Sequence, residues 1–449
     1  MVLRIMTPYY FLGQDSNYPP IDNSTGGLNF FPPENYKHNF TFGPVVDVRK
    51  DHGSHIRKLG AAATVLLKNT KNTLPLKEPK NIGVFGNDAA DYNFTQGPYP
   101  SNTDIGTLPV GGGSGTGRLT YVVSPLEAIK ARAKSYGGVV QSITSNSQIT
   151  NGGLNNISPK PDVCVVFLKS WASEGGDRRT LVAEWDSTNV VQKVAAFCLS
   201  TVVVLHGASP NVLPWKDHAN VTAILAAHMP GQETGNSIVD VLWGAINPSG
   251  KLPYTIANQE SDYSKNLVTN PGSSGPDGWQ TDFSEGNLID YKEFDAAKKN
   301  PAYEFGFGLS YTTFELSDIH INVLKSGVPR VPSASAKIEP GGNVELWETL
   351  VKVTATVKNT GGVSGATVPQ LYLSLPSEAG AGTPVRSLRG FEKVQLAAGE
   401  SVTVTFSLLR RDLSFWDTAA QTWRLPGGAI GVDVGFSSRD LKLKGSITV

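Results

Sequence analysis

A carboxylate in a loop of small residues is the feature of this chain best suited to chemistry. The segment Ser170-Trp-Ala-Ser-Glu-Gly-Gly-Asp-Arg-Arg179 directly follows the apolar run 162–168, which predicts a buried strand. Ligands of open α/β sheets bind beyond the carboxyl ends of the strands, and the flanking small residues let the loop of Glu174 reach outward. The location therefore makes Glu174 a candidate for a general acid or base.

An ion pair is expected beside this carboxylate. Asp177 and Arg178 are adjacent and of opposite charge, so their pairing would fix the shape of the loop. The same pattern also fits a solvated loop glutamate and a surface ion pair that contributes little, because an acid/base carboxylate needs a partner that the spacing does not reveal. Glu184 and Glu233 are the next carboxylates to consider in this region.

A glycine-rich stretch is the second candidate. The residues Val110-Gly-Gly-Gly-Ser-Gly-Thr-Gly-Arg118 would let the backbone approach a ligand closely. Their spacing is not that of G-x-G-x-x-G, and the stretch does not directly follow a strand, which argues against nucleotide binding. Two interpretations stay open: a flexible surface loop, and a loop that offers the Ser114 hydroxyl to a polar substrate.

Histidine and cysteine give no sign of a metal site or a cofactor. The seven histidines show no H-E-x-x-H or other ligand spacing, so we interpret them as structural. No G-x-S-x-G elbow is present to suggest a serine hydrolase. Cys164 lies in an apolar run and is expected to be a buried free thiol. Whether it pairs with Cys198 is not decided by the sequence.

Alternating strands and helices are predicted to position these loops. Near-continuous apolar strands of this kind are typical of a mostly parallel sheet that is covered on both faces, which predicts an α/β sandwich domain. Predicted strands are 81–86, 139–143, 162–168, 201–205 and 221–226, and predicted helices are 187–197 and 234–242.

Two further helices have capping or periodic signals. Ser124 is predicted to cap a helix whose first turn holds Pro125 and which stops at Gly137. Before it, apolar residues from Ile56 to Leu66 fall on one face of a helix, which the following 73–76 segment closes. The residues of this predicted face are Ile56, Leu59, Ala63 and Leu66.

A change of period marks a second domain. After residue 337 the helical pattern is lost, and 351–357 alternates apolar and polar residues before a turn at Asn359-Thr-Gly-Gly. This predicts an all-β sandwich of the immunoglobulin or fibronectin type III-like kind. The predicted divisions are an irregular arm at 1–50, the α/β domain at 51–317 and the β domain at 336–449.

Composition excludes several classes of partner. Lys plus Arg and Asp plus Glu both number 39, so no net charge attracts nucleic acid or an anionic membrane. No run of about 18 apolar residues predicts a membrane span. The N-terminus interrupts any signal-peptide pattern with Arg4 and Pro8. Sequons that would be glycosylated in a secreted protein occur at Asn23, Asn39, Asn93, Asn156 and Asn220.

A series of sequence blocks is distributed along the chain. The blocks are His55-Ile-Arg-Lys-Leu-Gly-Ala-Ala-Ala-Thr-Val-Leu-Leu-Lys-Asn, Gly113-Ser-Gly-Thr-Gly, Ser124-Pro-Leu-Glu-Ala-Ile, Ser173-Glu-Gly-Gly-Asp-Arg, Pro230-Gly-Gln-Glu-Thr-Gly-Asn, Asn247-Pro-Ser-Gly-Lys-Leu-Pro and Tyr303-Glu-Phe-Gly-Phe-Gly-Leu-Ser-Tyr. In these blocks and in their order, the whole chain resembles fungal β-glucosidases of glycoside hydrolase family 3. The stretch Leu388-Arg-Gly-Phe-Glu-Lys-Val resembles the fibronectin type III-like domain that ends these enzymes.

This resemblance implies a barrel outside the chain. In the family a (β/α)8 barrel precedes this region and supplies an aspartate nucleophile in a Ser-Asp-Trp-type motif. No Ser-Asp-Trp occurs here, and Ser261-Asp-Tyr stands in another context. Because Arg4-Ile-Met-Thr-Pro-Tyr-Tyr resembles the tail that follows the barrel, we expect Met1 to be an internal start and the chain alone to be inactive.

The resemblance also implies a mechanism. The family hydrolyses β-glucosides with retention, and its acid/base glutamate corresponds to Glu174. Its glucose subsite takes a serine that corresponds to Ser114. Many relatives have a tryptophan where this chain has Gly112, and Trp171 is expected either to replace that ring or to be a packed core residue.

Two functions therefore remain open from the sequence. The leading interpretation is the half of a secreted β-glucosidase that supplies the acid/base, with cellobiose or another β-glucan fragment as substrate. The alternative is a non-catalytic carbohydrate-binding or interaction module derived from such an enzyme. An upstream reading frame that encodes a barrel and a signal peptide would favour the first.

Overall fold

A computed structural model describes residues 1–18, 47–93, 104–113, 119–176, 178–263 and 284–448. The chain divides into two compact units, Met1–Gly53 with Gly117–Thr120, and Ser54–Thr116 with Tyr121–Val449. Within the described ranges no helix is long and apolar enough to cross a membrane.

The first unit contains a helix where an irregular arm is predicted. Helix α1 (Val2–Phe11) includes Pro8 in its interior, and none of its residues is buried. Leu3, Arg4 and Met6 are among the residues with the highest helix propensity, which favours this outcome. The prediction of irregular structure for 1–50 is therefore wrong over α1, and its part at 19–46 lies outside the described residues.

The second unit begins with an α/β layer. Its helices are α2 (His52–Ala63), α3 (Pro125–Ser135), α4 (Asn146–Thr150), α5 (Ser187–Phe197), α6 (Thr234–Leu242) and α7 (Tyr291–Ala296). Its strands are β1 (Val65–Asn69), β2 (Asn81–Phe85), β3 (Val139–Ile143), β4 (Val163–Ser170), β5 (Thr201–Gly207) and β6 (Val221–His228).

The six strands form one sheet in the order β1-β6-β5-β4-β2-β3. All neighbours are parallel except β1, which pairs antiparallel with β6, so the predicted mostly parallel sheet is confirmed. Every residue of β4 is buried, with Phe167 in the core of one face and Val166 in that of the other. A strand covered on both faces needs apolar residues at successive positions, which is the pattern of this segment.

Capping residues define the helices that cover the sheet. The Ser124 hydroxyl accepts the Glu127 N–H at 3.2 Å, and the Gly138 N–H returns to the Ala133 carbonyl at 2.8 Å. The predicted start and stop of α3 are therefore confirmed. The predicted bounds of α5 and α6 agree with those observed.

The predicted helix face that runs to Leu66 is wrong. Helix α2 ends at Ala63, and Leu66 lies in β1, paired with Leu225. Leu59 is exposed, and the helix instead buries Gly60 and Ala61. A Cβ on Gly60 would lie 2.6 Å from the Ser237 hydroxyl, so the glycine permits close packing of α2 on α6. The continuous apolar run after Thr64 is a buried strand rather than a further helical turn.

The two cysteines are joined in a disulfide. Cys164 in β4 is bonded to Cys198 at the end of α5, with their Cα atoms 6.2 Å apart. The expected free thiol at Cys164 is therefore wrong. The turn from α5 into β5 brings the second cysteine back to β4, where the Cys164 N–H donates to the Ser200 carbonyl.

A β sandwich follows in the same unit. Its strands are β7 (Phe314–Val323), β8 (Ile338–Glu339), β9 (Gly342–Asn343), β10 (Thr349–Asn359), β11 (Gly365–Thr367), β12 (Gln370–Ser374), β13 (Ser387–Phe391), β14 (Val394–Leu396), β15 (Ser401–Leu409), β16 (Phe415–Asp417), β17 (Thr422–Arg424), β18 (Ile430–Gly435) and β19 (Leu441–Ile447). The main sheets are β15-β10-β7 and β13-β12-β18-β19.

Alternate side chains of β10 enter the sandwich core. Val351, Val353, Ala355 and Val357 are fully buried, which confirms the predicted period of two. The predicted start of this domain at residue 336 is too late, because β7 pairs with β10 from Phe314 onward. Leu316 of β7 is buried, and Phe314, Ile319, Ile321 and Val323 are partly buried against the same core.

The sandwich packs on the α/β layer through aromatic and amide groups. Tyr291 of α7 stacks on Phe305 with ring centroids 4.6 Å apart, and its hydroxyl accepts the Leu388 N–H. The Gln370 amide donates to the Gly306 carbonyl at 3.1 Å. These contacts fix α7 against β12 and β13.

Candidate active site

The strand order of the parallel sheet predicts a crevice beyond its carboxyl edge. Strands β2 and β4 are neighbours, but the chain continues from β2 to β3 on one side and from β4 to β5 and β6 on the other. Loops that leave neighbouring strands in opposite directions create the usual ligand crevice of an open α/β sheet. Here those loops carry Glu174 and the start of the glycine-rich stretch.

A tight turn presents Glu174 to solvent. Ser173 and Gly176 form an isolated antiparallel bridge, in which the Gly176 N–H donates to the Ser173 carbonyl at 3.2 Å. Gly175 has φ +70°, a conformation that a residue with a side chain rarely adopts. The Ser173 hydroxyl donates to the Glu174 carbonyl at 3.1 Å, and the Glu174 side chain is exposed.

The glycine-rich stretch lies directly against this turn. The Gly112 N–H donates to the Ala172 carbonyl at 3.0 Å. A Cβ built on Gly113 would lie 2.7 Å from the Glu174 Cβ and 3.3 Å from its Oε2, so no side chain fits there. The described start of the stretch therefore lies beside Glu174. Ser114 itself lies outside the described residues.

Trp171 packs against Gly112. A Cβ on Gly112 would lie 2.6 Å from Cζ2 of the Trp171 ring, so the indole occupies the space that a larger residue at this position would need. The backbone N–H of Trp171 donates to Oε2 of Glu184 at 3.3 Å, and Trp171 is half-buried. The Trp171 ring therefore lies next to the glycine-rich stretch that borders the crevice.

Arg178 anchors the end of the Glu174 loop. Its side chain is 6% exposed and forms an ion pair with Glu184 at 3.3 Å. Further acceptors of its guanidinium are the Ser209 hydroxyl, the carbonyls of Val182 and Pro210, and the Asn211 side chain. Asp177, the partner expected from the sequence, lies outside the described residues. A guanidinium with this many fixed acceptors holds the loop after β4 against the loop after β5.

The two other carboxylates considered are engaged in structure. Glu184 bonds Arg178 through one oxygen and the Trp171 N–H through the other. Glu233 is buried and accepts the Tyr121 hydroxyl at 2.6 Å and the Asn236 amide at 2.7 Å. Their oxygens are therefore committed to structural contacts, and Glu174 is the exposed carboxylate of the turn after β4.

A buried polar cluster supports the loop after β2. Asp88 and His206 are fully buried and meet at 2.6 Å through Oδ2 and Nδ1. The other Asp88 oxygen accepts the Leu108 N–H at 2.8 Å, and Nε2 of His206 lies 3.1 Å from the Thr234 hydroxyl. The pair ties the start of the glycine-rich stretch to β5 and to α6.

Lys169 adds a buried cation beneath the crevice. Its Nζ donates to the Gly106 carbonyl at 2.5 Å and lies 4.9 Å from the ring centroid of Trp185. Burial lowers the pKa of Lys169, while the charges of Asp88, Asp104 and Glu184 act in the opposite direction. Lys169, near the end of β4, thus holds the loop after β2 in place.

Sequence reasoning missed this support. Lys169 ends the apolar run of β4, and Asp88 lies three residues after the end of β2. A charged residue within a strand that is predicted to be buried was the available signal. Nothing local, however, indicates that Asp88 meets His206, 118 residues away. The satisfied His206 agrees with the structural interpretation of the histidines. In the described ranges, no group of three or more His, Cys, Asp and Glu side chains is placed to hold a metal ion.

Comparison with family models gives two matches. A model described as "Glycosyl hydrolase family 3 C-terminal domain" matches residues 64–311. One described as "Fibronectin type III-like domain" matches residues 367–438. The first match spans the sheet and both crevice loops, and the second lies within the β sandwich.

Fungal proteins match the full length of the chain. "Probable beta-glucosidase G" of Aspergillus flavus is 53% identical over 454 residues, covering 100% of this chain and 55% of the relative. "Probable beta-glucosidase M" of Aspergillus niger is 42% identical over 461 residues, covering 100% of this chain and 57% of the relative. The chain therefore spans about half the length of the curated relatives it matches.

Solved structures agree in fold. The β-D-glucoside glucohydrolase of Trichoderma reesei superposes with a TM-score of 0.82 at 38% identity, covering 93% of this chain and 58% of the other. A family 3 β-glucosidase from Neurospora crassa gives a TM-score of 0.86 at 34% identity, covering 96% of this chain and 61% of the other.

Proposed function

This chain belongs to glycoside hydrolase family 3, and we propose that it forms the part of a retaining β-glucosidase that supplies the acid/base, Glu174. The observation that carries the proposal is the exposed Glu174 turn, held at the sheet crevice with a side-chain-free backbone against it. The resemblance of Ser173-Glu-Gly-Gly-Asp-Arg to the acid/base block of the family supports the same role.

The chemistry requires a second carboxylate from outside these 449 residues. The sequence contains no Ser-Asp-Trp motif, and each of the relatives described above is longer than the chain. In the proposed enzyme a preceding barrel covers the crevice and places its aspartate about 5 to 5.5 Å from Glu174, the separation of retaining enzymes. The barrel aspartate attacks the anomeric carbon, and Glu174 protonates the leaving oxygen and then activates water.

The crevice residues have separate tasks in this proposal. Gly113 lets the substrate and the backbone come close to Glu174, and Ser114 follows it to offer a hydroxyl to the sugar. Trp171 gives the crevice an apolar wall against which a pyranose ring packs. Arg178 shapes the loop. Barrel docking also excludes water from Glu174.

The substrates follow from the same roles. The proposed substrates are terminal β-D-glucosyl residues, as in cellobiose and short β-glucans. The isolated 449-residue chain should not hydrolyse an aryl β-glucoside at a measurable rate, because it lacks the nucleophile. A covalent glycosyl-enzyme trapped on this chain alone by a fluorinated sugar, and located by mass spectrometry, would contradict that expectation.

Replacement of Glu174 by glutamine tests the proposal in an enzyme completed with a family barrel. General acid catalysis contributes roughly 10² to 10⁴ in rate, so Glu174→Gln should lose about that factor on cellobiose. A nitrophenyl glucoside needs no proton to release its phenolate, so formation of the intermediate should be less affected. Azide should attack the intermediate and partly restore turnover, with β-glucosyl azide as product.

A matched variant separates chemistry from stability. Glu78 is an exposed glutamate in another loop of the same layer, and Glu78→Gln should hydrolyse both substrates as the parent enzyme does. Unchanged cellobiose hydrolysis in Glu174→Gln, or an equal loss in both variants, would remove Glu174 from the mechanism.

Secretion and N-glycosylation belong to the same proposal. Asn156 is an exposed sequon residue, and the Cys164–Cys198 disulfide suits an oxidising compartment. Asn220 instead donates its amide to the Ala195 carbonyl at 2.9 Å, which disfavours it as an acceptor. In protein from a fungal host, peptide mapping after glycosidase treatment should find a glycan at Asn156 and none at Asn220. An unmodified Asn156 would contradict this assignment.

A further inference from the structure

An aromatic hairpin projects from the β sandwich far along the chain from the Glu174 loop. Strands β16 and β17 pair only with each other among the described residues, and Trp416 lies directly opposite Trp423. The two indoles meet edge to face, with ring centroids 5.7 Å apart. Trp416 is nevertheless 45% exposed. An exposed indole in a fixed orientation is a feature that folding alone does not require.

A groove of about 730 Å³ runs beside this hairpin. Its walls include Phe415, Trp416 and Trp423, together with the 378–384 segment and the start of α7. Its volume lies within the range of about 300 to 1,000 Å³ that is usual for small-molecule sites. Neither Glu174 nor Trp171 lines the groove.

The charges around the groove cancel. Three cationic and three anionic side chains line it: Lys292, Arg389, Arg424, Glu378, Asp412 and Asp417. Such a balance does not favour a phosphorylated or an acidic ligand over a neutral one. It provides charged donors and acceptors that bind hydroxyl groups strongly.

Several of these groups are held in place before any ligand binds. Asp417 forms an ion pair with Arg424 at 3.1 Å and accepts the N–H groups of Ala419 and Ala420 at 3.1 and 3.0 Å. Arg389 is fixed through its Nη1, which donates to the Leu388 carbonyl at 3.1 Å. Within the part of the chain that the structure describes, neither hairpin indole N–H donates a hydrogen bond.

We propose that this groove, with Trp416 as its stacking platform, is a second carbohydrate-binding site that takes a neutral gluco-oligosaccharide. A pyranose ring presents a face of C–H groups, which packs on an indole, and a rim of hydroxyls, which needs donors and acceptors of both kinds. The hairpin supplies the first, and the paired Asp and Arg side chains supply the second. The choice of a β-linked glucan, though not of a sugar, rests on the proposed function.

The site would hold a polymer end while the crevice receives its terminal residue. A second weak site on the same molecule raises the local concentration of substrate without any new contact at the reacting bond. The groove therefore adds a binding role for the fibronectin type III-like part of the chain, beyond the hydrolysis proposed above.

Calorimetric titration of the 449-residue chain with cellohexaose tests the site. We expect one binding event, and Trp416→Ala should weaken it by about tenfold or more, as for a central aromatic contact. Trp416→Phe keeps a stacking face and should retain part of the affinity. Maltohexaose, whose α-linkages do not extend in a flat ribbon, should bind more weakly.

Trp347 provides the matched control. It is 47% exposed in the same sandwich, but Arg411 lies over its ring at 4.6 Å and it is not part of the groove. Trp347→Ala should therefore bind cellohexaose as the parent chain does. Glu174→Gln should also leave this binding unchanged, so a failure of the proposed hydrolysis and a failure of the groove are distinguishable.

Three results would overturn the proposal. These are no heat of binding at saturating cellohexaose, equal affinity in the parent chain and Trp416→Ala, or an equal loss in Trp347→Ala. Sedimentation that shows a dimer lost in Trp416→Ala would instead identify a second copy of the chain as the occupant. Circular dichroism melting of each variant shows whether a loss of binding reflects unfolding.

Discussion

Charged side chains lie buried and paired beneath the crevice that holds Glu174, whereas those around the sandwich groove lie at the surface. The Asp88–His206 pair is fully buried, but Asp417 and Arg424 both keep solvent contact. Buried charges must retain their partners because the desolvation cost is already present in the fold. Substitutions beneath the crevice should therefore lower the stability of the fold. Substitutions around the groove should affect only ligand binding.

Removal of Asp88 is expected to have the largest effect on stability. Asp88→Ala leaves His206 and the Leu108 N–H buried without their partner, and breaking such a buried pair costs about 3 to 5 kcal/mol. Urea unfolding followed by circular dichroism measures this loss. The Lys216–Asp217 pair is the control because its Asp217 side chain is 86% exposed, and Asp217→Ala should change the free energy of unfolding by no more than about 0.5 kcal/mol. Equal changes in the two variants would contradict the contrast between the buried and exposed charges.

A pH dependence of similar size is expected at Lys251. Burial lowers the pKa of Lys251 to about 8 from 10.5, and its Nζ donates to the Gly308 carbonyl at 2.6 Å. Between these two pKa values the unfolded chain binds more protons than the folded one, so this group makes the protein more stable as pH rises. The difference corresponds to about 3 kcal/mol, fully gained only above the unfolded pKa of Lys251.

Comparison with Lys251→Met isolates that contribution from other titrating groups. The free energy of unfolding of the parent chain minus that of the variant should increase between pH 8 and 10.5. Lys325→Met is the control, because the Lys325 ammonium is exposed, and its difference should stay flat over the same range. If the difference in free energy of unfolding for Lys251→Met did not change with pH, burial would not lower the pKa of Lys251.

The sequence predicted the elements with local signals best. Ser124, Pro125 and Gly137 mark the ends of α3, and the observed helix agrees with them. Leu66 was misassigned because a short apolar run fits a buried helix and a buried strand equally well. Strand β7 is cut by the predicted boundary because its apolar alternation shifts by one position at Asp318, between Leu316 and Ile319.

The candidate site was predictable only in part, for a similar reason. The position of Glu174 beyond β4 follows from local sequence and from the general geometry of α/β sheets. The contacts that support it join distant residues: Lys169 with Gly106, Asp88 with His206, and Cys164 with Cys198. No periodicity reports such pairs, because they depend on which strands become neighbours in the sheet.

Loss of Arg178 should loosen the crevice with a smaller change in stability. Arg178→Ala removes an ion pair and four other acceptor contacts, which corresponds to about 2 kcal/mol for hydrogen bonds to a charged group. Hydrogen exchange should rise in residues 171–184 and in the loop after β5, and remain unchanged in the sandwich. Arg178→Lys should recover little, because one ammonium cannot reach acceptors arranged for a fork of five N–H donors. Uniform exchange rates in parent and variant would show that the loop is held by other contacts.

The smallest effect on stability is expected at Trp416, and the comparison with a buried tryptophan makes it informative. Trp215 is 4% exposed in the core of the α/β layer, so Trp215→Ala should cost about 3 to 5 kcal/mol through lost burial and a cavity. Trp416 touches Trp423 across a short hairpin, and Trp416→Ala should cost about 1 kcal/mol or less, the size of a cross-strand pair. Thermal unfolding of both variants at one pH measures the two losses. If Trp416→Ala destabilised the chain as much as Trp215→Ala, the indole would be a structural element of the sandwich, and its exposure would no longer support a binding role for the groove.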